Sequence, residues 1–214
     1  MGRHLPFFMA KAPETAMDAD LIDRAEGLAP RIVAGSLVLR SLAAADRERI
    51  VTLASDARVS RFTARIPHPY PPGAADAFLD YAARSLIDGS ETALAIAEAL
   101  QPGDLIGAAG WERPHDGRCE IGYWLGHQYW GRGYGTDVIR AVAAHLFERG
   151  DVTVLTAGIF PDNRASARVL EKAGFALVGT CDCATPARDT ACVTADLYEL
   201  PRPREAARSR REAS

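Results

Sequence analysis

The chain has 214 residues, of which 48% are hydrophobic and 25% are charged, and its formal net charge at pH 7 is −3. This composition is that of an ordinary globular protein, so it excludes global disorder, a collagen-like repeat and a disulfide-rich scaffold. The small negative charge predicts neither a nucleic-acid nor a membrane partner, and four cysteines without a CxxC pair fit free thiols in a cytoplasmic protein without a metal.

The first half of the chain predicts an extension, a strand and two helices. Residues 1–30 form an expected N-terminal extension that includes a short helix at 18–28. Residues 32–40 are rich in branched side chains, which predicts a strand. Asp46 is a candidate N-cap for a helix that runs to about Ser55. Prolines exclude regular structure at 66–73, and apolar side chains at helical spacing predict a second helix at about 74–87.

The second half of the chain predicts a meander followed by alternating helices and strands. Strands are expected at 92–98, 105–111 and 119–125, joined by short turns at 102–104 and 115–117. A glycine-rich loop at 130–135 then opens a helix at 136–149. The remaining predicted elements are a strand at 152–159, a helix at 163–173 that ends at Gly174, and strands at 175–180 and 193–200. One domain at 31–200 is therefore expected, followed by an arginine-rich flexible tail at 201–214.

The segment from Trp130 to Thr136 reads WGRGYGT. Its alternate glycines allow a tight turn and a close approach to a ligand. The free N–H groups at the start of the following helix form a cradle for phosphate. The P-loop pattern fails because the segment has no Lys, and the pattern GxGxxG fails because Thr136 occupies the third glycine position. Nucleotide hydrolysis and hydride transfer are therefore disfavoured.

The same segment resembles the acetyl-CoA pyrophosphate loop of the GCN5-related N-acetyltransferases (GNAT), in particular the RimJ/RimL branch of ribosomal-protein N-acetyltransferases. Three further segments agree in order: LVLR at 37–40, EIGYWL at 120–125 and NRASARVLEKAGF at 163–175. The resemblance covers about residues 31–200. It implies an α/β (α+β) GNAT fold with a mixed, twisted, mostly antiparallel sheet of about seven strands and about four flanking helices. Its central parallel pair, here 120–125 and 152–159, is expected to splay apart.

Acetyl-CoA is the cosubstrate that the resemblance implies. The residues that it assigns to acetyl-CoA binding are Leu125, Gly126, Trp130, Gly131, Arg132, Gly133, Tyr134, Gly135, Thr136, Asn163, Arg168 and Lys172. The amides of 131–136 are expected to hold the pyrophosphate. The N–H groups around Leu125 and Gly126 are expected to stabilise an oxyanion. Arg132 either adds charge there or is a solvated loop residue.

The roles assigned to residues of the predicted helix at 163–173 also leave alternatives open. Asn163 either bonds the pantetheine arm, caps its helix, or does both. Arg168 and Lys172 either reach the adenosine phosphate or face water.

The implied reaction is direct acetyl transfer to a primary amine, either a protein N-terminus or a small molecule. Glu120 is the candidate general base, acting directly or through water; the alternative is a surface carboxylate at a strand end. Ser166 is the candidate proton donor to the leaving thiolate. Many family members carry a Tyr seven residues after the helix Asn, and this chain has Leu170 there.

Several weaker assignments complete the sequence-based hypothesis. His127, Glu112 and His115 are secondary candidates for proton transfer, and a covalent route through Cys119 would need a partner base. The acceptor pocket is expected between residues 68–70 and the last two strands. The departure at position 170 leaves open a non-catalytic acetyl-CoA sensor or interaction module, and a homodimer is expected only by analogy with the family.

Overall fold

The computed structural model describes residues 18–185 and 192–203, and these ranges form one mixed sheet flanked by helices. Its strands are β1 (Ile32–Ala34), β2 (Leu37–Ser41), β3 (Glu91–Glu98), β4 (Gln101–Glu112), β5 (Arg118–Leu125), β6 (Val154–Ile159), β7 (Ala176–Ala184) and β8 (Cys192–Pro201). Its helices are α1 (Ala19–Glu26), α2 (Arg47–Ala54), α3 (Ala57–Ser60), α4 (Ala74–Asp88), α5 (Tyr134–Glu148) and α6 (Arg164–Ala173). Of these described helices, none is long and apolar enough to cross a bilayer.

The strands lie in the order β1-β2-β3-β4-β5-β6-β8-β7. Every neighbouring pair is antiparallel except β5 and β6, which are parallel. The predicted mixed sheet with a central parallel pair is therefore confirmed, with one more strand than expected. Alternating residues along each strand face opposite cores, since Leu94 and Ile96 pack with α5 whereas Ala93 and Ala95 pack with α4.

The parallel pair holds together over a short stretch only. Arg118 pairs with Val154, Cys119 with Leu155 and Glu120 with Thr156. Beyond that point β5 continues along β4 and β6 continues along β8. The two strands therefore separate after Glu120, and the backbone groups along the edge of β5 face a cleft instead of a neighbouring strand.

Most helix predictions are confirmed, because their start and stop signals are local. Asp18 caps α1, and α1 packs on α4 although it lies in the predicted extension. Asn163 caps α6, which ends at Gly174 in the left-handed conformation with φ 98°. Helix α5 begins at Tyr134, two residues earlier than expected, because Gly133 reverses the chain with φ 84°. The predicted tail beyond residue 203 lies outside the described residues.

The positions of two turns between strands differ from the prediction. The strand expected at 32–40 is the hairpin β1–β2, which turns at Gly35 with φ 62°. The turn expected at 102–104 lies inside β4, and the chain reverses at 99–100 instead. Register shifts on both sides of Ala97 accommodate this early reversal, as bulges do near strand ends.

Asp46 occupies the predicted N-cap position of α2, but its side chain makes no capping hydrogen bond to that helix. Its carboxylate is 1% exposed and accepts hydrogen bonds from the Arg40 guanidinium at 2.7 and 2.8 Å and from the Ala43 N–H at 2.9 Å. A buried carboxylate is stable only when it is paired, so the ion pair with Arg40 takes precedence over helix capping.

Candidate functional site

Two adjoining cavities occupy the cleft that the diverging strands open. The loop cavity, of about 240 Å³, lies between the glycine loop, the end of β5 and α6. The Glu120 cavity, of about 110 Å³, lies between Glu120, residues 62–66 and the end of β6. Both cavities are lined by Phe62, Thr63, Tyr123, Trp124, Asn163 and Ser166. A ligand extended from the loop towards Glu120 would therefore pass between β5 and α6.

The glycine loop presents a set of free amides. Gly131 and Gly133 have φ values of 74° and 84°, which L side chains rarely adopt. The N–H groups of Thr136 and Asp137 donate to the Gly133 carbonyl at 2.9 and 3.2 Å. In the part of the chain that the structure describes, the N–H groups of 131–135 have no backbone acceptor. They fit a phosphate, whereas the N–H of Thr136, which was expected to bind it, is already used.

Aromatic residues of the loop hold its shape. The indole N–H of Trp130 donates to the Leu125 carbonyl at 2.8 Å, and the Tyr134 hydroxyl donates to Glu98 at 2.7 Å. The Arg132 guanidinium lies 3.8 Å from Glu98 and is half exposed. Trp130 and Tyr134 therefore fix the loop against β3 and β5, and Arg132 adds a cation beside it.

The backbone N–H groups of Leu125 and Gly126 differ in whether they are available to a ligand in the cleft. The Gly126 N–H donates to the Ile106 carbonyl at 2.9 Å, so it is not available to an oxyanion, contrary to expectation. In an antiparallel pair, consecutive residues direct their N–H groups to opposite sides. The Leu125 N–H therefore points away from β4, towards the cleft, and it is the amide of this pair that fits an oxyanion.

Glu120 is the last residue of β5 that is paired with β6, and it lines the Glu120 cavity. Burial raises its pKa well above the usual range, the like charge of Glu112 adds to this effect, and Arg65 opposes it. A carboxylic acid with a raised pKa is a stronger base than an ordinary carboxylate, which is the property that deprotonation of an ammonium requires. The position and the pKa of Glu120 are thus compatible with the predicted role.

A row of carboxylates extends from Glu120 across the sheet. Glu91 on β3 is paired with Glu112 on β4, and the register of β4 with β5 continues this row to Glu120. Tyr81 of α4 donates a hydrogen bond to Glu91. Burial, followed by the like charge of Glu91, raises the pKa of Glu112 to about 7. Glu112 lines a separate groove together with Glu91 and does not line the Glu120 cavity, so it acts on Glu120 through its charge.

Helix α6 supplies the opposite wall of the cleft. The Asn163 side chain accepts a hydrogen bond from the Ser166 N–H at 3.1 Å, which confirms the predicted capping role. Leu170 is 1% exposed and lines the Glu120 cavity at the position where many family members carry a Tyr. Arg168 and Lys172 are exposed and line the loop cavity, where both of their predicted alternatives stay compatible with the structure.

Tyr123 is a polar cleft residue that the sequence did not single out. Its hydroxyl lies 3.4 Å from the Ser166 hydroxyl, and its ring packs on Gly135, where an added Cβ would lie 2.9 Å from it. The available signal was its position two residues before Leu125, because residues two apart share one face of a strand. Its partners are distant in sequence, so no local pattern connects them.

The remaining candidates lie elsewhere. The His127 ring packs against the Trp130 ring at a tilt of 52° with centroids 4.9 Å apart, and His127 lines neither cavity. His115 is in the β4–β5 turn with its side chain 90% exposed. Burial raises the pKa of Cys119 to about 12, so its thiol stays protonated and the covalent route loses its nucleophile. Tyr70 packs in the core beside α4, and residues 62–66 line the cleft where 68–70 were expected.

The described residues thus form a mixed sheet whose parallel pair separates opposite a helix that begins at Gly133. Residues 36–176 match the acetyltransferase (GNAT) domain family. The chain belongs to this family.

Curated relatives and solved structures agree with this assignment. The chain is 33% identical over 88 residues to the uncharacterized N-acetyltransferase YoaA of Bacillus subtilis (strain 168), which covers 41% of this chain and 49% of YoaA. The chain thus spans about half the length of that relative. The fold of this chain is similar to that of RimL, the ribosomal L7/L12 alpha-N-protein acetyltransferase in complex with coenzyme A (TM-score 0.68, 17% identity, covering 80% of this chain and 98% of that one). It is also similar to the microcin C7 self-immunity acetyltransferase MccE in complex with acetyl-CoA and AMP (TM-score 0.69, 17% identity, 81% and 98%).

Proposed function

We propose that the protein is an acetyl-CoA-dependent N-acetyltransferase of the RimJ/RimL type that transfers acetyl directly to a primary amine through a ternary complex. The observation that carries the proposal is the junction of the two cavities. The free amides of the glycine loop lie at one end of the cleft, and Glu120 lies at the other. The cytoplasmic location is part of this proposal, and the free, buried thiol of Cys119 is compatible with it.

Each step of the transfer has a residue in this cleft. Glu120 accepts a proton from the acceptor ammonium, because only the neutral amine is a nucleophile. The Leu125 N–H donates to the oxygen of the thioester carbonyl as negative charge develops there. The Ser166 hydroxyl protonates the leaving thiolate. The amides of 131–135 and the cation of Arg132 hold the pyrophosphate, which fixes the thioester between β5 and α6.

The proposal is tested by calorimetry with acetyl-CoA, followed by thiol release in the presence of acceptors. The acceptor panel contains peptides with a free N-terminus, the same peptides with a blocked N-terminus, lysine and small amines. Thiol release that depends on a free amine supports the proposal. Acetyl-CoA binding without thiol release supports the alternative, a non-catalytic sensor, which the apolar Leu170 in the cleft favours. Absence of both binding and thiol release contradicts both functions.

Replacing Gly133 with Ala is expected to weaken acetyl-CoA binding roughly tenfold. An alanine at φ 84° costs roughly 1–2 kcal/mol, and relief of that strain would turn the loop amides away from the phosphate. Gly150→Ala is the matched control, because Gly150 has φ 91°, equally open surroundings and a position outside both cavities. Equal loss of affinity in the two variants, measured by calorimetry, would show that general destabilisation and not the loop is responsible.

Replacing Glu112 with Gln is expected to move the acidic limb of the kcat/KM profile to lower pH. The negative charge of Glu112 raises the pKa of Glu120, so its removal lowers that pKa and keeps the base ionised in more acidic solution. The measurement is the pH dependence of kcat/KM, with the exposed Glu48→Gln on α2 as control. An acidic limb at an unchanged pH would assign it to a group other than Glu120.

A further inference from the structure

Tyr123 lies where the loop cavity and the Glu120 cavity meet. Among the six residues that line both, Thr63, Tyr123 and Ser166 carry a hydroxyl. The Thr63 hydroxyl donates to the Ser60 carbonyl at 3.1 Å, within its own turn. Tyr123 and Ser166 are therefore the hydroxyl pair at the junction, and their oxygens are 3.4 Å apart.

The position of the Tyr123 ring is fixed from two sides. On one side it packs on the first turn of α5, where only a glycine at 135 leaves room, because a Cβ there would lie 2.9 Å from both the ring and its hydroxyl. On the other side its hydroxyl faces Ser166 on α6. The cap of α6 orients Ser166 in turn, since Asn163 accepts the Ser166 N–H. The pair is thus built into the contact between three elements.

We propose that Tyr123 is the proton source for the leaving thiolate and that Ser166 relays this proton, an inference that rests on the proposed function. The Ser166 O–H bond breaks as the S–H bond of the thiol forms. The Tyr123 O–H bond breaks as a new O–H bond forms on Ser166. The attacking nitrogen loses its second proton to water as the amide forms, and the Tyr123 phenolate takes a proton back from that water after the thiol has left, while Glu120 holds the first proton of the acceptor ammonium.

The relay removes a chemical difficulty of a lone serine. A serine hydroxyl is a far weaker acid than a phenol, whose reference pKa is about 10, so Ser166 alone would have to become an alkoxide. Leu170 supplies no proton at the position where many family members have a Tyr, and Tyr123 brings a phenol to the same cleft from β5. A separation of 3.4 Å is long for O–H···O, but such contacts tighten when the substrate is bound.

The surroundings keep Tyr123 protonated. Burial raises its pKa, whereas the hydrogen bond with Ser166 lowers it. The charged side chains that line the two cavities are Arg168 and Lys172 on α6, Arg65 in the 62–66 segment and Glu120 on β5. Glu120 lies on the opposite face of β5 from Tyr123, because the two are an odd number of residues apart. At neutral pH the phenol is therefore in the form that can donate.

The test compares Tyr123→Phe, Ser166→Ala and the double variant, with Tyr198→Phe as matched control. Tyr198 is a buried tyrosine whose hydroxyl also faces α6, at Glu171, but it lines neither cavity. Each single substitution is expected to lower kcat roughly 10²-fold with unchanged acetyl-CoA affinity by calorimetry. Both residues serve one proton transfer. The loss of kcat in the double variant is therefore expected to be no greater than the loss in the more impaired of the two single variants.

A pH profile separates a proton source from a packing role. A fluorotyrosine at position 123 has a more acidic phenol, so the basic limb of kcat is expected to move to lower pH while the acidic limb stays. Wild-type protein that releases no thiol with any acceptor contradicts the proposed function. If the wild type is active, three results contradict the relay alone. These are a kcat of Tyr123→Phe within threefold of wild type, a loss of kcat in the double variant equal to the product of the single losses, and a basic limb that fluorotyrosine does not move. If Tyr123→Phe does not fold, the relay is tested by the pH of the basic limb of kcat in the fluorotyrosine protein.

Discussion

Replacing Glu120 with Gln is expected to lower kcat roughly 10²–10⁴-fold at pH 7. The substitution keeps the shape of the side chain but removes the proton acceptor from the Glu120 cavity. The affinity for acetyl-CoA is expected to stay unchanged, because the loop amides lie at the other end of the cleft. The measurements are steady-state thiol release and calorimetry, and Glu48→Gln is again the control.

The acceptor decides how this defect depends on pH. An α-amino group has a reference pKa of about 7.7–8.0 and a lysine side chain one of about 10.4. At a pH near 9 an N-terminal amine is already neutral, so the defect of Glu120→Gln is expected to shrink for that acceptor and to persist for a lysine. A kcat that changes less than threefold with both acceptors would remove Glu120 from the mechanism.

The sequence predicts best those features that depend on neighbouring residues. The caps of α6 are Asn163 and Gly174, each within one turn of the helix end that it stabilises. The glycine loop and the helix behind it are likewise one continuous segment. The splayed pair is different: 120–125 and 152–159 were expected to be parallel neighbours from the family resemblance, since no local pattern states which strands pair.

The features that were missed depend on register and on contacts between distant segments. Tyr123 and Ser166 are 43 residues apart, and the row from Glu91 through Glu112 to Glu120 exists only because three strands align. A one-residue slip would place alternate side chains on the other face and disperse this row. Propensity and spacing contain no information about such an alignment, so the raised pKa of Glu120 was not predictable from the sequence.

Gly107→Ala is expected to destabilise the sheet strongly for so small a substitution. Gly107 lies on β4 opposite Leu125, and a Cβ there would lie 2.2 Å from the Trp124 carbonyl oxygen and 2.9 Å from the Leu125 Cα. These are backbone atoms, which cannot rotate away, so the two strands must separate. Overpacking of this kind costs roughly 1–3 kcal/mol and sometimes more. The separation would also displace the Leu125 N–H from the cleft.

Gly103→Ala is the matched control for this prediction, because Gly103 lies on the same strand and a Cβ there would have no neighbour within 4 Å. In urea unfolding, Gly107→Ala is expected to lower the midpoint with an unchanged slope, whereas Gly103→Ala is expected to stay within about 0.5 kcal/mol of wild type. Calorimetry at a temperature where both variants are folded then shows whether Gly107→Ala also weakens acetyl-CoA binding. Equal urea midpoints for the two variants would contradict the close approach of β4 to β5 at Gly107. They would also contradict the position of the Leu125 N–H at the edge of the cleft.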